Sequence, residues 1–83
     1  MNTTTTEAQI LAAKYVLRIK AFAANRTFME ITSFQQEEKD RLNDTAERLG
    51  VEQEDVDFYI EDFLPYSIEA LSKMLRSRKF NEE

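Results

Sequence analysis

The acidic side chains between residues 52 and 62 are the ones whose type and spacing could support chemistry. Six carboxylates lie in this segment with no Lys or Arg among them: Glu52, Glu54, Asp55, Asp57, Glu61 and Asp62. Closely spaced carboxylates can bind metal ions, transfer protons or attract cationic partners. The rest of the sequence decides among these three uses.

A metal site or a hydrolytic site is not expected. The run from Glu52 to Asp57 superficially has the acids of a calcium loop, but it lacks the required glycine, and Phe63 stands where the closing Glu belongs. The chain has no Cys and no His, which excludes a thiol nucleophile, a Ser-His-Asp triad and the usual zinc ligands. Gly50 is the only glycine, so there is no glycine-rich phosphate loop. We therefore expect no enzyme activity and no cofactor.

The charge of the chain is concentrated in one region. The 83 residues include 16 acidic and 11 basic side chains, a net charge of −5. Residues 37–62 alone carry eleven acids against three bases, a net charge of −8, while both flanks are mildly basic. One interpretation is a solvated face that keeps a small protein in solution. The other is a binding surface for a cationic partner, because such a field accelerates and orients association.

An aromatic residue favours the second interpretation. Phe58 lies off the apolar face of its predicted helix, with acids around it at helical spacing, and an exposed aromatic residue in such a setting is typical of a binding hot spot. The alternative is that Phe58 packs against a neighbouring helix. The predicted partner-binding residues are Glu54, Asp55, Asp57, Phe58, Glu61 and Asp62.

Four helices are predicted to position these residues. Apolar periodicity and capping signals place them at about 5–25, 34–49, 52–64 and 66–79, in a single all-α domain over residues 1–83. The scarcity of Gly and Pro leaves few tight turns for strands. Residues 1–4 and 80–83 are expected to be disordered.

The first helix is apolar on two sides. Thr4 or Thr6 is its predicted N-cap. One stripe contains Leu11, Tyr15, Ile19 and Phe22, and a second set contains Ile10, Leu17, Ala21 and Ala24. A helix of this kind is either the centre of the fold or part of a subunit interface, so the second set is a candidate homodimer interface. The basic residues Lys14, Arg18 and Arg26 are expected to pair with acids of this protein, within a monomer or across a dimer.

The segment at 26–33 is predicted to connect the first two helices. Phe28, Met29 and Ile31 are too apolar for a solvated linker and should point inward. Ser33, three residues before Gln36, has the spacing of a capping box that would start the second helix. The apolar stripe of that helix is thin, with Glu38 where an apolar residue would extend it.

The second half of the chain has clear helix signals. Gly50 is the expected left-handed stop of the second helix. Val56, Tyr59, Ile60 and Phe63 form the core face of the third helix. Pro65 either opens a new helix or kinks a long one. The last helix should pack its apolar residues Ile68, Leu71, Met74 and Leu75.

Residues 42–61 resemble the helix-turn-helix signature of DNA-binding proteins. The family pattern is matched by Ala46, the turn residue Gly50 and apolar residues at 49, 51, 56 and 59, whereas Thr45 stands where an apolar residue is more usual. The resemblance implies a recognition helix at 52–61. That helix carries acids and no cation, so it would repel the phosphate backbone, and direct DNA binding by it is not expected.

The size and composition also resemble those of small acidic helical proteins of phages and mobile elements, including inhibitors of nucleases and of CRISPR complexes. Their carboxylates can stand in for phosphates in a basic groove. The leading prediction is therefore an inhibitor or adaptor that engages a basic protein surface, possible partners including nucleic-acid-binding proteins. A helix-turn-helix transcription regulator and a structural dimerisation module are the alternatives.

No membrane association is predicted. The most apolar stretch, 8–24, is interrupted by three cations, which are costly in a bilayer. The first six residues lack the basic and apolar regions of a signal peptide. We expect a cytoplasmic protein, in the host cytoplasm if a phage encodes it.

Overall fold

Four α-helices make up the part of the chain that the computed structural model describes, which is the backbone of residues 3–77 and the side chains of residues 6–77. They are α1 (Thr3–Ala23), α2 (Phe28–Leu49), α3 (Gln53–Phe63) and α4 (Ile68–Ser77). Residues 3–77 contain no strand, so the predicted all-α fold of four helices is confirmed. None of these helices is long and apolar enough to cross a membrane.

Helix α1 is the centre of the fold. It packs against α2, α3 and α4, and α2 also contacts α3. Its alanines at 8, 12 and 13 are completely buried, and Val16 is almost so. Small side chains allow neighbouring helices to approach closely on more than one side. The two apolar sides of α1 are therefore explained by its central position, the first of the two alternatives that the sequence left open.

Each of the other helices directs an apolar face at α1. Val56 and Phe63 of α3 are buried, and Tyr59 and Ile60 pack partly against the same core. Leu71 is the fully buried residue of α4. The core-face prediction for α3 is therefore correct. In α4 the prediction holds for Leu71, Met74 and Leu75, but Ile68 is 41% exposed.

The prediction for the start of α2 is wrong by about one and a half turns. The helix begins at Phe28 because Thr27 forms a capping box with Glu30. The Thr27 hydroxyl accepts a hydrogen bond from the Glu30 amide at 3.2 Å, and the Thr27 amide donates to the Glu30 carboxylate at 3.0 Å. The hydrogen bond from the Thr27 amide lowers the pKa of Glu30. Ser33 and Gln36 therefore lie inside the helix, and residues 28–33 are not a connector.

The early start of α2 also changes the environment of its first residues. Phe28 and Met29 are 82% and 78% exposed, so the expectation that they point inward is wrong. Ile31 is half-buried. Helical geometry from residue 28 fixes the directions of these side chains, and only one side of the first turn can face α1. Two large apolar side chains therefore stay in contact with solvent.

The other helix ends differ from prediction by smaller amounts. Helix α1 already includes Thr3 and Thr4, so neither Thr4 nor Thr6 is its N-cap. The expected disorder of residues 1–4 stays a prediction. Residues 1–2 and 78–83, which include the predicted end of α4, lie outside the described residues. Helix α4 begins at Ile68 rather than residue 66, because the Ser67 hydroxyl accepts a hydrogen bond from the Ala70 amide at 3.1 Å. Pro65 thus separates two helices.

Gly50 ends α2 as predicted. Its φ of 74° is left-handed, and its amide donates to the carbonyl oxygens of Ala46 and Glu47. The amide of Val51 donates to Ala46 O at 2.8 Å, which closes the end of the helix. The chain then turns within three residues and α3 begins at Gln53.

A buried carboxylate joins α1 to α2. Glu38, 7% exposed, accepts two hydrogen bonds from Arg18: Arg18 Nε lies 2.8 Å from Glu38 Oε1, and Nη2 lies 3.0 Å from Oε2. Arg41 Nη1 lies 3.8 Å from Glu38 Oε2. The hydrogen bond from Arg18 is the main reason that the pKa of Glu38 is lowered, against the opposing effect of burial. The expectation that Arg18 pairs with an acid of this protein is therefore confirmed within the monomer.

Aromatic residues extend this contact along α1 and α2. The rings of Phe22 and Phe34 are stacked, with centroids 4.0 Å apart and planes at 3°. Arg18 lies over the Phe34 ring at 5.7 Å, and Arg26 lies over the Phe22 ring at 4.7 Å. Guanidinium groups are attracted to aromatic faces. The α1–α2 contact is therefore held by charge and aromatic stacking where the apolar stripe of α2 is thin.

We expect the substitution Glu38→Gln to lower the free energy of unfolding by about 1–2 kcal/mol, since it removes charge-assisted hydrogen bonds to Arg18. Urea denaturation at neutral pH measures this loss. The matched control is Asp44→Asn, which breaks the exposed pair between Asp44 and Arg48 (3.8 Å) and should cost less than about 0.5 kcal/mol. Equal losses in the two variants would contradict a special role for Glu38.

The wild type and the Glu38→Gln variant also allow a test of pH dependence. A carboxylate whose pKa is lowered by folding stabilises the folded state at pH values above its unfolded pKa, about 4.3. The stability difference between wild type and Glu38→Gln should therefore be full above about pH 5 and shrink as the pH falls through the folded pKa of Glu38. A difference that stays constant down to about pH 3 would contradict this assignment.

Candidate partner-binding surface

Helix α3 turns its carboxylates away from the core. Val56 and Phe63 are buried and Tyr59 and Ile60 pack partly against the core, so the acidic positions of this eleven-residue helix face outward. All six residues predicted to bind a partner are exposed: Glu54, Asp55, Asp57, Phe58, Glu61 and Asp62. We call this set the acidic face. Glu54 and Asp55 lie in the first turn, where the helix dipole favours negative charge.

Little of this charge is neutralised within the protein. Lys39 of α2 lies 3.3 Å from Asp57 Oδ1, with both side chains partly exposed. Among residues 6–77, no other carboxylate of α3 forms an ion pair. Like charges three or four residues apart destabilise a helix by a few tenths of a kcal/mol per pair. The acidic face thus retains a repulsion that a cationic partner would relieve.

Phe58 lies in the middle of the acidic face and does not pack into the core. It is 65% exposed, and within the described residues its one aromatic contact is with its neighbour Tyr59, with ring centroids 5.2 Å apart and planes at 79°. This position matches the exposed aromatic residue expected from sequence rather than the alternative of helix packing. The exposed ring offers apolar area to a partner, and the carboxylates next to it offer negative charge.

The second apolar set on α1 is divided between the core and the surface. Ile10 is buried within the monomer, and Leu17 packs partly against the core. Ala21 and Ala24 are exposed. Ile10 is therefore already occupied by intramolecular packing, and the structure does not bring the four residues together on one open face. Homodimer formation stays a prediction.

The junction of α2 and α3 supplies the connectivity of a helix-turn-helix, with the turn at Gly50. Ala46, Val51 and Val56 are buried as the pattern requires, whereas Leu49 is 54% exposed. Helix α3 folds back along α2: Gln53 donates a hydrogen bond to Asn43, and further along Asp57 meets Lys39. The second helix of the pair carries the acidic face.

Two features of the surface gave no clear signal in the sequence. One is the position of Lys39, whose contact with Asp57 joins residues eighteen positions apart and cannot be found from helical spacing. The other is Leu64, 47% exposed at the end of α3. Its place directly before Pro65 was a signal for a chain turn, but not for exposure.

The carboxylates do not converge on a common point. Within the described residues, no group of three acidic side chains could hold a metal ion. Comparison of the chain with protein-family models, curated proteins and solved structures finds no significant match. The arrangement itself, a one-sided row of carboxylates with an exposed aromatic residue, is therefore the basis for assigning a function.

The two phenylalanines of α3 provide a direct test of this orientation. We expect Phe58→Ala to change the free energy of unfolding by less than about 0.5 kcal/mol, because the ring is mostly in solvent. Phe63→Ala, in the same helix but 2% exposed, should cost about 3 kcal/mol or more. Chemical denaturation followed by circular dichroism measures both. A large loss for Phe58→Ala would place that ring in the core and contradict the surface described above.

Proposed function

We propose that this protein is an inhibitor or adaptor that acts by protein–protein contact and engages a basic partner surface through its acidic face. The observation that carries the proposal is the unneutralised charge of α3: within the described residues, its carboxylates form a single ion pair, between Asp57 and Lys39. Cations of a partner would replace solvent around these groups and remove the repulsion between them.

The geometry of the row suits a partner that normally holds nucleic acid. Glu54, Asp57 and Glu61 recur every three or four residues, a rise of about 4.5–6 Å along the helix axis. This rise is of the same order as the axial spacing of phosphates along one DNA strand, about 3.4 Å. A groove lined with Lys and Arg for a phosphate backbone is therefore a surface that the acidic face could occupy. Phe58 adds an apolar contact that a phosphate backbone does not offer.

A charge-reversal variant tests the role of the acidic face. We expect Glu54→Lys combined with Glu61→Lys and Asp62→Lys to abolish binding of a short, unstructured peptide of alternating Ser and Lys. Asp57 is left in place so that its contact with Lys39 is kept. Fluorescence anisotropy of the labelled peptide at low salt measures the affinity, and circular dichroism checks that the helices remain.

The matched control reverses three exposed acids of α2, at Glu37, Asp40 and Glu47. Both triple variants carry the same net charge, so a general charge effect weakens both equally. The proposal requires that the α3 variant loses binding and the α2 variant keeps most of it. Equal binding by the two variants would contradict the acidic face as the binding surface.

Regulation of transcription by direct DNA contact is the second candidate, favoured by the helix–Gly50–helix connection. A gel shift separates it from the first. We expect no shift of duplex DNA even at about 50 mM salt, where cationic contacts are strongest, because the recognition position is occupied by acids. A shift under these conditions would show that Lys and Arg elsewhere on the molecule bind DNA, and would favour the regulator.

A further inference from the structure

A groove lies beside the acidic face, between α2 and α3, with α1 as its floor. Its volume is about 410 Å³. Ile19 of α1 and Ile60 of α3 contribute to its apolar lining, and Leu64 stands at the end of α3. Asp57 and Glu61 also line it, so the groove and the acidic face share two carboxylates, and Lys20 and Lys39 line it on the α1 and α2 sides. A ligand that binds one of these surfaces is therefore close to the other.

The groove leaves apolar surface uncovered. Ile19 and Ile60 are only partly buried, and Leu64 is 47% exposed. All three side chains line the same groove, so an apolar group of a partner could contact them together. On α3 the residues Asp57, Glu61 and Leu64 follow one another at i, i+4 and i+7. They form a single stripe about 10 Å long, which corresponds to about two turns of a helix.

Both carboxylates of the groove could pair with a cation of a partner. Lys39 of α2 forms an ion pair with Asp57 at 3.3 Å, but the Lys39 and Asp57 side chains are 35% and 51% exposed. An ion pair in such contact with water is worth little and can be replaced by another cation. Glu61 forms no ion pair with any side chain of residues 6–77. The α3 wall therefore offers one free carboxylate and one that is held by a replaceable lysine.

We propose that this groove binds an amphipathic basic helix of another protein. The apolar residues of that helix would pack on Ile19, Ile60 and Leu64, and its Lys or Arg residues would pair with Glu61 and, in place of Lys39, with Asp57. This inference rests on the proposed function, since it names the class of partner for the acidic face. An amphipathic helix presents apolar anchors at i, i+3, i+4 and i+7, which is the spacing that a groove of about two turns accepts.

The first test compares two leucines. The probe is a labelled helical peptide of Leu and Lys with leucines at i, i+3, i+4 and i+7, and its affinity is measured by fluorescence anisotropy. We expect Leu64→Ser to weaken binding at least about fivefold, the effect of losing one apolar anchor. Leu49→Ser is the control, because Leu49 is 54% exposed and also ends a helix, but lies outside the groove. It should bind the peptide as wild type does.

The second test predicts a gain of affinity. Lys39→Gln removes the internal competitor for Asp57 and should tighten binding of the Leu/Lys peptide about two- to threefold. Arg48→Gln removes the same charge from the exposed pair with Asp44 and should give a smaller change. A long-range charge effect alone would make the two variants equal, which would contradict a cation site at Asp57.

The outcomes separate this inference from the proposed function. If the α3 charge-reversal variant does not bind the Leu/Lys peptide while Leu64→Ser binds it normally, the proposed role of the acidic face stands and the proposed role of the groove is overturned. If both variants bind normally, both proposals fail. Sedimentation of the wild type tests for a second copy as the occupant. A dimer that Leu64→Ser converts to a monomer would overturn the proposal of a foreign helix.

Discussion

The burial of α1 on several sides is the constraint on which the rest of the structure depends. Its alanines at 8, 12 and 13 have no exposed surface, and the other three helices all pack on it. Helix α1 supplies six of the twelve buried hydrophobic residues in the described part of the chain. The apolar faces of α2, α3 and α4 must then point at α1, and their polar faces must point away. The outward direction of the α3 carboxylates follows from this packing, because Val56 and Phe63 fix the rotation of that helix.

Local periodicity predicted the parts of the fold that depend on residues close in sequence. It gave the four helices, the two-sided character of α1, the core face of α3 and the stop at Gly50. It placed the capping box of α2 at Ser33 and Gln36, six residues after the one that the structure shows. In the structure the capping box is formed by Thr27 and Glu30. The Glu30 carboxylate accepts the hydrogen bond of the cap amide as an anion, and its negative charge is stabilised by the helix dipole. Gln36 is neutral and lacks this second contribution. Glu38 interrupts the apolar stripe of α2 because it binds Arg18. Local spacing could not predict this contact, since Arg18 is twenty residues away in the sequence. The acidic face was predicted from sequence, whereas the neighbouring groove depends on three helices and was not.

The surface of α3 joins two properties that separately would mean little. Exposed carboxylates alone can serve to keep a small protein in solution, and an exposed Leu is common on protein surfaces. Here Asp57 and Glu61 line a partly apolar groove that also contains Leu64, and Phe58 lies on the same short helix. Lys39 holds one carboxylate through a weak, partly exposed contact. Charge can therefore attract and orient a basic partner, while the groove and the aromatic ring supply the apolar contact that retains it. The ion pair between Arg18 and the buried Glu38 joins α1 to α2 and helps to hold these two helices, which form the floor and one wall of the groove.

The acidic face and its groove form the proposed binding surface. A titration of the ¹⁵N-labelled protein with the helical Leu/Lys peptide, followed by amide chemical shifts, tests it most directly. We expect the largest shifts on α3 and the residue after it, at Asp57, Ile60, Glu61 and Leu64, and on the facing residues Ile19 and Lys39. Shifts concentrated on α4 or on the exposed first turn of α2 at Phe28 and Met29, or no shifts at all, would contradict it.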